Sequence, residues 1–330
     1  MSWHEVLNLE NRIVQGEVLP LIDFGMKKDR SFSTPVILAE GPFDISVIGI
    51  IPSDKTTVRT PELDRYVDDV WNNLTIKEGK SIYNNDKVLV LGVTAGKNKL
   101  EIFTGLTDYK TRIATTRDLE ISKKYGFEAI AVTLGTTCLL KTVDNKLVLA
   151  QLGNTTSEAN KIGGLHCIGG LLEVENKLPI DITQNLKREI KEELGLTESE
   201  TDNQINVNYC LGVVQDNKTY AVDILFVCTT SLSVNELKTR NGDGEIKPVL
   251  ISNSEKEVTE TLLAFSKTAT SSAIGSLYLY GKLKFGDKWA EKIRNRLGRR
   301  FGVYKQIDTD IDTTQRMQKN ISNRLARLGK

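Results

Sequence analysis

The hydrophobic positions of this chain fall into short strand-length runs, broken by a few segments whose spacing turns helical. PVILAEGPFDISVIGIIP (35–52) reads as one or two strands ending at Pro52. TPELDRYVDDVWNNL (60–74) then switches to a helical stripe of Leu63, Val67, Val70, Trp71 and Leu74, with Thr60 as N-cap and Pro61 at the first helical position. KVLVLGVTAGKNKLEIFTGLTDY (87–109) predicts a hairpin turning near Gly96, and EAIAVTLGTTCLLKTVDNKLVLAQL (128–152) a second one turning at Asp144-Asn145. A glycine-bearing loop, KIGGLHCIGG (161–170), leads to a helix from the N-cap Asp181 to Leu194, stopped by Gly195. QINVNYCLGVVQ (204–215) and TYAVDILFVCTTSL (219–232) are strand-like, NGDGE (241–245) is a loop, and a last core helix covers about 254–268. Residues 1–33 carry no pattern that assigns an element. Strands and helices mix without regular β-α alternation, which predicts an α+β fold with a mixed sheet.

The helix from Asp181 is unusual. Its stretch REIKEELGL (188–196) crowds three glutamates beside an apolar stripe. At about 100° per residue, Ile182, Leu186, Ile190 and Leu194 define the apolar face. Glu193 falls inside that arc, Glu189 at its edge and Glu192 further round on the same side. A carboxylate on a core face is costly unless it is paired or bound to metal, and neighbouring carboxylates repel and raise one another's pKa. A hard divalent cation, Mg²⁺ or Mn²⁺, answers both problems with oxygen ligands. The plain alternative is a solvated helix on which Lys187 and Lys191 pair with acids a turn away.

Arg188-Glu189-Ile190-Lys191-Glu192-Glu193-Leu194-Gly195-Leu196 resembles the C-terminal half of the Nudix box, R-E-U-x-E-E-x-G-U, at every position, and Gly169-Gly170 resembles the glycines that open it. The middle departs from the pattern. Seventeen residues separate Gly170 from Arg188, a four-residue insertion; Glu173 or Glu175 stands for the box's first glutamate, and Ile168 replaces the usual proline. The resemblance implies a Nudix α/β/α sandwich around a mixed sheet. It also implies Glu189, Glu192 and Glu193 as ligands to Mg²⁺ or Mn²⁺, joined by the Gly170 carbonyl, with Arg188 orienting a box carboxylate. The implied activity is hydrolysis of a nucleoside diphosphate linked to another moiety. A further carboxylate from outside the box is expected, and Glu245 is the candidate.

TGLTDYKTRIATT (104–116), with the strands that follow, is similar to a divergent branch that hydrolyses UDP-glucose and UDP-galactose and carries an N-terminal α/β segment. That likeness makes a UDP-sugar, cleaved to UMP and sugar 1-phosphate, the first substrate reading. ADP-ribose or a dinucleotide is the alternative substrate, and a non-catalytic nucleotide sensor the alternative class. Tyr109 is a candidate to stack on base or sugar, Lys110 or Arg112 to meet a phosphate, and His166 to approach the diphosphate. The structural alternative for this stretch is a strand-to-helix turn capped by Thr107 or Asp108.

Charge and composition change the picture at the C-terminus. The net charge of +1 gives no global pull toward nucleic acid or membrane, but residues 281–330 hold 14 Lys+Arg against 5 Asp+Glu. Within DKWAEKIRNRLGRRF, Trp289, Ile293 and Leu297 form a stripe, and a second helix with Ile321, Leu325 and Leu328 follows. Docking of this tail on its own body or on a homodimer partner is the favoured reading, nucleic-acid binding the rival. The expected division is an N-terminal α/β region (1–120), a Nudix domain (121–280) and a basic helical extension (281–330). Four cysteines without C-x-x-C spacing read as buried thiols. Two histidines leave no His-rich metal site and no Ser-His-Asp triad unless His166 supplies the base. No apolar signal core and no run long enough to span a bilayer appear, so a cytoplasmic location is expected.

Overall fold

The computed structural model describes residues 19–20, 34–78, 82–96, 98–118, 120–152, 163–174, 180–240, 242 and 246–300. In chain order the elements are β1 (Leu19–Pro20), β2 (Pro35–Phe43), β3 (Ile48–Thr56), α1 (Pro61–Asn72), β4 (Asp86–Gly96), β5 (Lys99–Asp108), α2 (Tyr109–Arg117) and α3 (Glu120–Tyr125). β6 (Leu134–Lys141), β7 (Lys146–Leu152), β8 (Leu165–His166), β9 (Ile168–Leu171), α4 (Ile182–Leu194), α5 (Glu198–Gln204), β10 (Ile205–Asp216) and β11 (Val222–Thr230) follow. The chain continues through α6 (Val234–Lys238), β12 (Ile246–Ser252), α7 (Glu255–Phe265), α8 (Ser271–Phe285) and α9 (Asp287–Arg300).

The large sheet runs β1-β2-β10-β11-β6-β7-β12, with β9 on β6 and β8 on β7. Only the β11–β6 pair in it is parallel. Its two faces follow from strict alternation along the central strands. Val222, Ile224, Phe226 and Cys228 of β11, with Leu134, Cys138 and Leu140 of β6, face the core that α4 fills with Ile182, Leu186, Ile190 and Leu194. Leu225 and Val227 of β11, with Leu139 of β6, face the core filled from α7, α8 and α9. The result is an α/β/α sandwich around a mixed sheet, as expected. Burying one such side chain contributes roughly 1.5–3 kcal/mol, so the two faces hold the layers together.

A smaller sheet, β3-β5-β4, precedes it. The run 35–52 becomes two strands in different sheets, because Asp44 caps a short 3-10 turn by accepting from the Ser46 N–H at 2.9 Å. β2 therefore pairs with β10 inside the large sheet although it lies within the expected N-terminal region. The small sheet is tied to the large one through main-chain bonds from Val88 N to Leu172 O (3.4 Å) and Val90 N to Val132 O (2.7 Å). All four cysteines are buried and free.

At the C-terminus, α8 is a finding. Its SSAIGSLYLYG stretch is buried all round, so it shows no stripe for periodicity to detect. It crosses the boundary expected at 280. The stripe of α9 is covered by its own chain: Trp289, Ile293 and Leu297 pack into the core beneath α7 and α8. The Trp289 ring lies over Gly281, where a Cβ would strike it, and its Nε1 donates to Thr259 Oγ1 at 2.9 Å. The helix expected around 321–328 lies outside the described residues. Among the described residues no helix is long and apolar enough to cross a membrane.

Trp289 is only 4% exposed. Trp289→Ala is expected to cost about 3–5 kcal/mol, read as a lowered urea midpoint at unchanged slope. A loss below about 1 kcal/mol would mean that α9 is not a structural part of the sandwich.

Candidate active site

The acidic helix forms where its caps dictate. Asp181 accepts from Thr183 N–H (2.9 Å) and Gln184 N–H (3.0 Å), and Gly195 ends α4 in the left-handed conformation at φ 63°. Asn185 Nδ2 donates to Thr136 Oγ1 of β6 at 3.0 Å, which pins α4 to the sheet. The helix thereby lays Glu189 and Glu193 against β9.

Glu193 is buried, 7% exposed, where the wheel places it, and its Oε2 accepts from the Gly169 N–H at 3.3 Å. Gly169 sits at φ 141°, and a Cβ there would run into the Thr136 carbonyl. Gly170 has a different reason for being glycine: a Cβ would come within 2.6 Å of the Glu189 carboxyl carbon. Gly170 thus lets Glu189 approach the β9 backbone, while Gly169 lets β9 pack on β6 and its N–H holds Glu193.

Arg188 binds both neighbours. Its Nη2 is 2.5 Å from Glu189 Oε1, and its Nη1 is 2.8 Å from Glu192 Oε2. Glu189 has a side chain only 15% exposed. Burial pushes its carboxyl up to about 7, with Arg188 pulling the other way. Glu192 departs from expectation. Its side chain is 44% exposed and it does not line the cleft. Four residues along a helix from Arg188, it is drawn to the outer side of the guanidinium.

Glu189, Glu193 and Gly170 line a cleft of about 380 Å³. Tyr109, Arg112 and His166, all singled out from the sequence, line it too. Lys110 does not: it pairs with Asp68 on the surface. Asp108 caps α2, accepting from Thr111 N–H at 2.8 Å, so the turn at 107–109 and the cleft position of Tyr109 coexist. Glu245 and Glu175 lie outside the described residues. Glu173 is described, and its Oε1 takes Lys87 Nζ and Asn85 Nδ2, each at 2.6 Å.

Sequence reasoning missed Lys87, Asp216 and Asp223, which also line the cleft. Asp223 had a readable signal, as the one charged residue in an apolar strand. It lies beside Gly135, where a Cβ would strike the Asp223 carboxylate and lie 3.1 Å from the Gly170 carbonyl oxygen. Asp216 is satisfied internally: Ser271 Oγ donates to it at 2.6 Å, as do the Lys218 and Thr219 N–H groups.

A hard divalent cation fits this donor set. The cleft carries Glu173, Glu189, Glu193, Asp216 and Asp223 against Lys87 and Arg112, and the Glu189 side chain is largely withdrawn from solvent. Among the described residues no three His, Cys, Asp or Glu side chains gather closely enough to hold an ion unaided. Mg²⁺ ordinarily completes its shell with carbonyls, waters and substrate phosphates around one or two carboxylates.

No family model matches the chain, and no curated protein matches it. Among solved structures it is similar to a mutT/nudix family protein from Listeria innocua, at 16% identity, over 46% of this chain and 93% of that one, with TM-score 0.32. It is also similar to the MutT protein from Methanosarcina mazei Go1, at 14% identity over 51% and 93%, TM-score 0.30. A third is the NUDIX domain of Shewanella oneidensis NrtR complexed with ADP ribose, at 13% identity over 51% and 98%, TM-score 0.33.

The raised carboxyl of Glu189 has a consequence for metal-free protein. Between its ordinary 4.5 and about 7, the folded state holds a proton that the unfolded state has lost. Stability therefore falls as pH rises through that window, by at most roughly 3 kcal/mol. In EDTA, Glu189→Gln is expected to be more stable than wild type at pH 8 and to lose the pH 5–7 slope, as followed by thermal melting. Identical pH profiles would show that Glu189 is not a buried titrating group.

Proposed function

We propose that this protein is a Nudix-type, metal-dependent diphosphatase acting on a nucleoside diphosphate linked to a second moiety. The observation that carries the reading is the placement of two carboxylates of the box helix, the buried Glu193 and the half-buried Glu189, against Gly169 and Gly170 at the floor of an acidic cleft. Glu189, Glu193 and the Gly170 carbonyl are the groups that would hold the ion. When bound, Mg²⁺ or Mn²⁺ neutralises phosphate charge and lowers the pKa of a water.

The chain's own residues have separable tasks. Arg188 fixes the Glu189 carboxylate, and its second bond, to Glu192, holds the guanidinium in place. Glu192 thus acts through Arg188, a reassignment from the ligand role implied by the motif. A cleft carboxylate accepts the proton of the attacking water. The oxygen of that water bonds to phosphorus as the anhydride P–O bond breaks. The Gly169 N–H bond holds Glu193 on the β9 backbone, so its carboxylate cannot turn away when a charged substrate enters.

For the substrate, the favoured reading is a UDP-sugar, giving UMP and sugar 1-phosphate. Its support is the GLTDYK stretch (105–110). ADP-ribose and dinucleotides belong in the same assay panel.

Purified full-length protein is expected to hydrolyse a UDP-sugar with Mg²⁺ or Mn²⁺ and to stop in excess EDTA. Glu193→Gln should retain the fold and fall well below a tenth of the wild-type rate, a barrier rise well above about 1.4 kcal/mol. Undiminished turnover in EDTA would end the metal mechanism. A Glu193→Gln variant near wild-type rate would remove Glu193 from it.

A further inference from the structure

The charges of the cleft are segregated by origin. Glu189, Glu193 and Asp223 come from the large sheet and its box helix, while both cations, Lys87 of β4 and Arg112 of α2, come from the small N-terminal unit. The two cations meet at one ring. Lys87 Nζ lies 5.7 Å from the centroid of Tyr109, and Arg112 Cζ lies 5.8 Å from it. Both distances are within the range of a cation–π contact.

The ring is itself fixed. Trp71 of α1 packs against it edge-on, with centroids 6.4 Å apart and planes at 89°. Arg112 is held at its other end, Nε donating to Thr133 Oγ1 at 3.2 Å. Lys87 is 5% exposed and anchored on Glu173, so it cannot reach out to meet a ligand. Arg112 is partly exposed and lines the cleft. A guanidinium is flat, permanently charged, and suited to bidentate contact with phosphate oxygens.

We propose that Arg112 is an anion-binding arm for the phosphate groups of the substrate, and that Tyr109 and Lys87 are positioning residues that aim it across the cleft at the carboxylate floor. Tyr109 is then a spacer between two cations rather than a platform for a base. The small unit becomes one wall of the site, not an appendage to it. The assignment rests on the diphosphatase reading for the identity of the anion, but not for the existence of the arm.

Calorimetric binding of magnesium pyrophosphate, which needs no turnover, tests the arm directly. Wild type is expected to bind it, Arg112→Gln to weaken binding about tenfold or more, and Arg112→Lys to fall between. Tyr109→Phe keeps the ring and should bind like wild type. Tyr109→Leu should weaken binding several-fold, and should add nothing to Arg112→Gln in the double variant. Lys87→Met is expected to behave like Tyr109→Leu, with the melting temperature followed to separate loss of fold. Wild type that does not bind pyrophosphate, or Arg112→Gln that binds as tightly as wild type, overturns the arm. Additive Tyr109→Leu and Arg112→Gln effects overturn the positioning role. Hydrolysis is scored apart: a wild type that binds pyrophosphate through Arg112 yet cleaves no nucleoside diphosphate compound refutes the proposed function and leaves the arm standing.

Discussion

The burial of two carboxylates against the backbone of β9 is the constraint on which the rest of the site depends. A charged oxygen in a packed interior is tolerated only where something compensates it. Here Glu193 takes the Gly169 N–H, Glu189 takes Arg188, and Glu189 lies where a Cβ on Gly170 would strike it. That contact explains Gly170, whereas Gly169 is glycine because of its φ and the Thr136 carbonyl against it. α4 is bolted to β6 by Asn185 as well as by its apolar stripe. A helix free to roll by half a turn would carry the carboxylates away from β9.

The second dependence is between the two sheets. β4 reaches the segment after β9 through the Val88–Leu172 main-chain bond and through the Lys87–Glu173 ion pair. Displacing the small sheet would therefore disturb the segment after β9 as well as remove Tyr109 and Arg112. These bonds add to a shared core, in which Leu63, Val67, Val88 and Ile102 of the N-terminal unit belong to the same cluster as Ile190 of α4 and Phe226 of β11.

The sequence was most legible where local chemistry decides the outcome. The α4 caps, the Asp108 cap of α2, the Asp144-Asn145 turn, with Asn145 at φ 59°, and the burial of Glu193 all follow from side chains acting on their own neighbourhood. What failed did so for separate reasons. α8 is buried on every side, so its pattern carries no period. Glu192 shares the arc of Glu189 on a wheel, but the wheel does not contain Arg188's reach, which settles where Glu192 goes. Lys110 and Arg112 could not be told apart as phosphate ligands, because the choice depends on Asp68, a residue far away in the chain. Lys87 opens an apolar run and looks like its solvated edge; only the long-range partner Glu173 makes a buried lysine possible there. The Lys110 and Lys87 misses lie at contacts between elements distant in sequence, and the Glu192 one at a side-chain pairing that a helical wheel does not show.

Charge balance then connects the layout to the chemistry. Five carboxyl groups and two cations line the cleft, so acids outnumber cations before a substrate enters, even with Glu189 pushed up to about 7. A diphosphate brings more of the same sign, and in a partly desolvated space the repulsion between such charges is larger than in water. Two devices reduce it without relocating the acids. One is a divalent cation at the floor, which turns the carboxylates from repulsive neighbours into ligands. The other is positive charge brought from a separate unit: Lys87 of β4 and Arg112 of α2 line the same cleft. Arg112 lies against the Tyr109 ring and donates from Nε to Thr133 Oγ1, so the small unit supplies the charge that the acidic helix and the large sheet do not bring to the cleft.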